Sequence, residues 1–436
     1  MIPLAAIRVL LACADDDAGE LGPTLTVEFG ELVTTLMTVR WTTERPSKGL
    51  VRYGVVGEGT FETPPEQAAT TEHEVVVLGM PVDSEVELRG VDDAGVVSEA
   101  LRVTTGGVPS DWPAWTVTAD QSTWDGWIVS AVSGATTGAF VMDPKGRVVW
   151  WWMSDADNLR VLRAIPSADG TSIIVSRGGD SYADGTEIAQ FGWTGELLQT
   201  RAVEDMTHDF VQRPDGHFTA IVQTRHERGE IRCIVGGIAE FEWEQPTDLI
   251  WDGWDEYGDV NESCVGESEG LTHFNALDWD EDRGEYILSS RNLNTLSVID
   301  RQSATMVESY GEYGTIIPAD ADSAFTHQHQ FQRLDDDRFL VFDDGDAGRN
   351  SSRVNEVVVD RAAGVYRTEW KYAPDPNLYV YALGDVERLE NGNTLSNWST
   401  SGRIEEVTPT GESVWRIELD LGQAFGYMQR VDSLYP

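Results

Sequence analysis

Apolar and polar residues alternate with a period of two along most of this chain, in short runs broken by Gly, Pro, Asp, Asn and Glu. Such alternation predicts half-buried β-strands, and the breaks predict tight turns. The segment Phe325 to Gly345, FTHQHQFQRLDDDRFLVFDDG, shows it most plainly. It predicts a strand over His329 to Leu334, an acidic turn over Asp335 to Asp337 and a returning strand over Arg338 to Asp343. Related hairpins are RAIPSADGTSIIVS (163–176), DFVQRPDGHFTAIVQ (209–223), ALDWDEDRGEYILSS (276–290) and DVERLENGNTLSNW (385–398). Their turn positions, 170, 216, 284, 337 and 392, recur at intervals of roughly 46 to 68 residues. Most are followed by a second hairpin, such as IEEVTPTGESVWRIEL at 404–419.

Four strands in a repeating unit are the signature of a propeller blade. Five such units are complete. A sixth is split: AFVMDPKGRVVWWW (139–152) supplies outer strands, and the C-terminal GYMQRVDSLYP supplies an inner strand whose MQRVDSL echoes VERLENG. The pattern therefore predicts an all-β chain with a six-bladed β-propeller over residues 112–436, closed by its last strand, rather than one of seven blades. Before it, residues 21–106 hold LTVEF, TVRWTT, GLVRYGV, HEVVVLGM, EVELRGVD and ALRVTTG. They predict a small β-sandwich that resembles a fibronectin type III or immunoglobulin-like module, with His73 on its surface and Gly106 to Asp111 as the linker.

Residues 1–20 are excluded from the fold. MIPLAAIRVLLACADDD is an apolar stretch ending in Leu10-Leu11-Ala12-Cys13, which resembles a bacterial lipoprotein signal with Cys13 as the lipidated residue. The expectation is export to the periplasm or cell surface, with a lipid anchor as the contact with the membrane. In an exported protein the two remaining cysteines, Cys233 and Cys264, predict a disulfide.

Charge narrows the partners. The formal net charge is −44, and only Lys48, Lys145 and Lys371 are lysines. Such a chain is not built for nucleic acid or for anionic membranes. Hydrophobic residues at 41%, with 16 Trp, mark a folded protein rather than a disordered one. Homo-oligomer formation is left open.

The candidate chemistry is in the histidines. His208 opens HDFVQRPDG, His273 opens HFNALDWD and His329 opens HQFQRLDD, and Asp215, Asp280 and Asp336 follow at equal spacing. The first strand of a blade lines the central channel, so three imidazoles in one phase are expected at one mouth. Arg291, after YILSS, and Arg177, after IIVS, end returning strands and reach the same side. Group transfer through a neutral imidazole suits this set, with Arg binding an oxyanion. A three-His metal site and a non-catalytic, surface-anchored ligand-binding propeller are the other readings; Arg beside the histidines weighs against a cation.

These residues resemble the bacterial aryl sulfotransferases that work without the nucleotide sulfate donor. The likeness is carried by THDFVQRPDG, THFNALDWDED, SSRNLNT, HQHQFQRL with VFDDGD, SRVNEVVVD and ERLENGNTLSNWSTSGRIEEVTPTGESVWRIEL, over roughly residues 125–436. The resemblance implies that His329 is a nucleophile that takes a sulfuryl group from an aryl sulfate as a sulfohistidine. A phenol then accepts it, in ping-pong order, with no cofactor and no metal. His208, His273 and Arg291 match residues that bind sulfuryl oxygens and assist proton transfer, and Asn275 matches a sulfate contact. Tyr427, just before the closing strand, is a candidate for the aromatic wall. His327 is second in rank for the nucleophile. The chain departs from the family at Gln330-Phe331-Gln332 and at Asp344, where Asn is expected; these departures point to an altered acceptor pocket. Asp343 to Asp346 reads as a solvated turn, and His217 and His226 as exposed.

Overall fold

In the strand Met37–Ser47, Met37, Val39 and Trp41 are buried while Thr38 and Arg40 between them are half-exposed. The alternation read from the sequence is thus the alternation of faces. This strand lies between Thr26–Phe29 and Thr70–Val77 in a three-stranded sheet. A four-stranded sheet, Phe61–Glu62, Gly49–Val55, Glu85–Asp92 and Leu101–Thr104, shares its core through Val51, Tyr53, Val86 and Leu88. Burying each such side chain contributes about 1.5–3 kcal/mol. His73 is not on the surface. It stacks on Trp41 with centroids 4.6 Å apart, and its Nδ1 lies 2.6 Å from Glu66 Oε2. This N-terminal unit is tied to the remainder by Thr35, whose hydroxyl donates to the Val149 carbonyl at 2.6 Å.

The structure, a computed structural model, describes residues 22–93, 95–119, 124–155, 159–178, 186–260, 264, 270–346, 348–420 and 422–436. The lipidation candidate Cys13 lies outside them. The described chain is nearly all β, and six more sheets follow the first two, antiparallel except where Ile317–Pro318 joins Val365–Tyr372 in parallel. Four of them run as meanders in chain order, starting from Arg160–Pro166, Met206–Gln212, Phe274–Asp280 and Phe331–Arg333. The turns that join their first two strands fall where the sequence places them. Gly216 at φ 90° and Gly284 at φ 66° supply the left-handed backbone two of these turns require.

The other two sheets borrow strands across the chain. The C-terminal strands Gln423–Phe425 and Gln429–Val431 pair with Trp127–Gly134, with Gln429 opposite Val129. At the other end Trp115–Thr118 pairs with Ser413–Leu419, so the last sheet is completed by an N-terminal strand. The sequence reading missed this second exchange because Trp115–Thr118 is short and resembles a linker. Both exchanges cover edges that would otherwise be open to pairing with another chain. Trp150, Trp415, Phe140 and Phe425 pack between these sheets in the largest core cluster. Cys233 and Cys264 are joined as a disulfide, 31 positions apart.

Candidate active site

Counting back from the turn places the histidines. The aromatic residue that begins each returning strand pairs as Gln212 with Phe218, Trp279 with Tyr286 and Arg333 with Phe339. Four positions before the first member of each pair stand His208, Asn275 and His329. His273 and His327 stand six positions before Trp279 and Arg333. The three histidines are therefore not in one phase. The turn between Trp279 and Tyr286 is one residue longer than the other two, which accounts for one of the two positions by which His273 is displaced. Asn275 occupies the position that His208 and His329 hold in their own sheets.

The backbone brings them together all the same. The ladder is interrupted between Thr207 and Phe210, where His208 and Asp209 bulge, and between Phe274 and Ala276. His208, His273 and His327 have φ of 46°, 44° and 51°. Left-handed backbone costs a residue with a Cβ roughly 1–2 kcal/mol. Such strain persists only where the surroundings over-determine it, and it clusters at functional sites. Each of these strained histidines follows a threonine, Thr207, Thr272 and Thr326, a Thr-His repeat that the sequence displayed.

His208, His273, His329 and Arg291 line one cavity of about 1070 Å³. The His208 and His273 rings lie 4.6 Å apart, centroid to centroid. Arg291 follows the strand Glu285–Ser290; its N–H donates to the His273 carbonyl at 3.1 Å, and its Nη2 lies 3.4 Å from Nδ1 of His327. His327 itself is not among the lining residues. Arg160, Tyr381 and Leu383, absent from the sequence reading, belong to the wall. The last two sit in a stretch, Tyr379 to Gly384, with no strand period to draw attention to it.

The His329 ring is fixed at both nitrogens. Tyr427 donates its hydroxyl proton to the Asn275 carbonyl at 2.6 Å, which leaves the phenol oxygen to accept Nδ1–H at 3.0 Å. The Leu383 N–H donates to Nε2 at 3.1 Å. Both contacts call for the tautomer with its proton on Nδ1 and a lone pair on Nε2. Burial, then the charges of His273 and Arg291, hold His329 well below the usual imidazole range. Burial and the facing His273 do the same to His208. Both rings are neutral at pH 7.

Several residues expected at the substrate hold the frame instead. Tyr427 is fully buried and touches His329, not the cavity. Asn275 donates from Nδ2 to the Gln328 carbonyl at 2.8 Å, bracing the peptide that leads into His329. Arg177 is not in the cavity wall: cross-strand register puts its Nε 2.7 Å from Glu187, and the rings of Trp152 and Phe191 flank its guanidinium. Gln330 donates to Asp209 Oδ2 at 2.6 Å and Gln332 accepts from the Arg388 N–H at 2.7 Å, so these two side chains staple sheets and are not in the cavity wall. Asp343 and Asp344 are buried, not part of a solvated turn. His226 is half-buried, stacked on Trp254 and 3.0 Å from Asp252.

Beneath the histidines the first strands converge on Arg163. Its Nε lies 3.6 Å from Asp209 Oδ1. Asp209 Oδ2 also accepts the Leu277 N–H at 3.0 Å, and Asp385 Oδ2 accepts the Met428 N–H at 2.8 Å. Burial pushes Asp385 up to about 7, against the pull of Arg163.

The family pattern described as Arylsulfotransferase (ASST) matches residues 116–424, well over half of the chain, and takes in His208, His273, Arg291 and His329. The chain belongs to the arylsulfotransferase family. No curated protein matches it. Among solved structures, a periplasmic gluconolactonase of Pseudomonas aeruginosa is 13% identical, with 88% of this chain and 99% of that one covered, at TM-score 0.41. A putative 6-phosphogluconolactonase of Bacteroides fragilis is 11% identical, with 88% and 98% covered, at 0.40. A streptogramin B lyase is 9% identical, with 70% and 98% covered, at 0.38. Likenesses this distant assign no activity. Family membership makes small aryl compounds the substrates and the chain a sulfotransferase in general terms.

Proposed function

We propose that this protein moves a sulfuryl group from a phenolic sulfate ester to a phenol in ping-pong order, without a nucleotide donor, through a sulfohistidine at His329. The six sheets are read as blades of one propeller over residues 112–436, and the two N-terminal sheets as a β-sandwich over residues 21–106. The observation that carries the reading is the double fixing of His329 by Tyr427 and Leu383, which presents a neutral Nε2 beside His208, His273 and Arg291.

In the first half-reaction the Nε2 lone pair attacks sulfur. The N–S bond forms, the S–O(aryl) bond breaks, and the aryl oxygen leaves with the electron pair. Arg291 offsets charge on the sulfuryl oxygens, and the leaving oxygen takes a proton from His273. Leu383 N–H, released from Nε2, turns to a sulfuryl oxygen. Nδ1 keeps its proton on Tyr427 throughout. In the second half-reaction a phenol gives its proton to neutral His208, whose ring lies 4.6 Å from that of His273 and returns the proton to it; the phenol oxygen attacks sulfur, the N–S bond breaks and Nε2 regains its lone pair. The disulfide supports the further proposal of export, with Cys13 as the anchor.

The test is intact-protein mass after brief incubation with 4-nitrophenyl sulfate, on wild type and His329→Ala. The expected outcome is nitrophenol release with a gain of about 80 Da, one sulfuryl group, in wild type alone. Absence of both release and adduct across a panel of aryl sulfates would overturn the proposal.

A further inference from the structure

Beside Nε2 of His329 stands a carboxyl group that the reaction above does not use. Asp344 follows the strand Arg338–Asp343 and is 1% exposed. Its Oδ2 lies 3.4 Å from Nε2. Neither carboxyl oxygen makes a hydrogen bond among the described residues.

The contrast with the adjacent residue is sharp. Asp343 is equally buried, yet it accepts from Arg349 Nη1 at 2.7 Å and Nη2 at 2.6 Å, from Arg353 Nε at 2.9 Å and from Asn355 Nδ2 at 3.1 Å. The backbone N–H of Thr326, at 2.9 Å, and of Gly345, at 3.2 Å, complete its shell. The local guanidinium groups are thus gathered on Asp343. The charged groups that face Asp344 are Asp343 on its own segment, His329 before the first strand of that sheet, Arg349 in the following loop and Arg291 from the neighbouring sheet. Arg349 is already engaged by Asp343, and Arg291 reaches toward His327 and Asn292. Burial first, and the Asp343 charge second, hold the Asp344 carboxyl well above the usual range.

The hydrogen bonds of His329 bear on the same carboxyl. Leu383 N–H donates to Nε2 at 3.1 Å, which requires a lone pair there. With no proton on Nε2, an acid facing it has to carry its own.

We infer that Asp344 is a positioning acid for the nucleophile: as a neutral carboxylic acid it lets His329 accept an anionic sulfuryl group, and as a carboxylate it prevents the transfer. The inference rests on the sulfohistidine reading of His329. A carboxylate at this place either draws a proton onto Nε2, removing the nucleophile, or stands as a buried anion against the sulfuryl oxygens. In the transfer itself no bond of Asp344 breaks. The N–S bond forms at Nε2, the S–O(aryl) bond breaks with its electron pair on the aryl oxygen, and the carboxyl O–H, which has no acceptor among the described residues, donates to a sulfuryl oxygen.

The experiment follows the first half-reaction alone, as the single-turnover release of 4-nitrophenol without acceptor, across pH in wild type and Asp344→Asn. The wild-type rate should fall about tenfold per pH unit once pH exceeds the raised pKa of the carboxyl. Asp344→Asn should lower the plateau several-fold and remove that alkaline limb. An alkaline limb that survives in Asp344→Asn overturns the role, as does a uniform loss of rate with an unchanged profile. A second measurement needs no variant: the ¹⁵N shift of His329 Nε2 in wild type should report a hydrogen-bonded lone pair at neutral pH and step in the pH range of the rate limb. A constant shift through that range, or an imidazolium shift at neutral pH, overturns the inference. Absence of any burst in wild type strikes the sulfotransferase reading instead, and the two failures remain distinct.

Discussion

The hydroxyl of Tyr427 lies 3.0 Å from Nδ1 of His329, although 98 positions of sequence separate them. The phenol passes its own proton to the Asn275 carbonyl, so it meets the imidazole as an acceptor. Tyr427→Phe removes that acceptor and leaves two buried polar groups unanswered. A hydrogen bond of about 1–1.5 kcal/mol corresponds to roughly a tenfold loss in the rate of His329 sulfation. Stopped-flow nitrophenol release checks it; an unchanged burst rate would show that the tautomer is set elsewhere.

Arg291 has no lysine-compatible geometry to fall back on. Its planar fork reaches both His327 and Asn292 while lining the cavity. Arg291→Lys keeps a positive charge but loses the fork, and kcat/KM for the donor should drop about 30- to 100-fold. The second-half rate constant for phenol attack on pre-formed sulfo-enzyme is the control, since the same sulfuryl oxygens are held in both directions and it should fall in parallel.

His329 is held below the ordinary imidazole value of 6.5, chiefly by burial. For a base with a lowered pKa the neutral, reactive form persists as pH falls past 6.5. Single-turnover sulfation should therefore stay flat through that pH and decline only in more acid solution. A half-maximal rate at or above it would mean that His329 is solvated in the working enzyme.

Asp385 carries a stability signature of its own. Burial pushes its carboxyl up to about 7, against an ordinary value of 3.8. A raised acid binds more protons folded than unfolded, so its contribution falls as pH climbs from the unfolded to the folded value. The slope is at most about 1.4 kcal/mol per pH unit. Urea titrations of Asp385→Asn should show a shallower loss of stability than wild type between those two pH values. Parallel curves would place the titration on another group.

The Cys233–Cys264 bond closes a loop of 31 positions that ends just before Leu271 and the strained His273. Chain-entropy arithmetic for such a loop gives about 3–4 kcal/mol. Paired serine substitution should lower Tm by several degrees and slow His329 sulfation, because Cys233 stands on the strand whose Ile234 carbonyl and Gly236 N–H hold Leu271 and Thr272 just before His273. Equal activity in the reduced protein would confine the bond to stability.

The strands were legible because one face of each is buried, which writes a period of two into the chain. The turns were legible because Gly216 and Gly284 mark backbone that other residues avoid. Which histidines share a cavity could also be read, since first strands of successive hairpins meet near one axis. Their phase could not. His273 stands two positions out of step, of which a longer turn in the hairpin of Trp279 supplies one, and a bulge displaces His208 from its own ladder; neither event leaves a hydrophobic trace. Arg177 was misjudged for a related reason: a strand end points toward the mouth, but the cross-strand partner Glu187 decides where a long side chain goes. Asp344 and Leu383 were out of reach altogether, because their parts depend on a burial and a backbone N–H that only tertiary packing creates.

The residue that fixes Nδ1 of His329 comes from the segment that completes the sheet of Trp127–Gly134. Tyr427 sits between Gln423–Phe425 and Gln429–Val431, which are made after every other strand of the ring. Until they dock, Nδ1 of His329 has no phenol to hold it. If His329 carries the sulfuryl group as proposed, competence for chemistry and docking of these two strands are one event in the life of the chain.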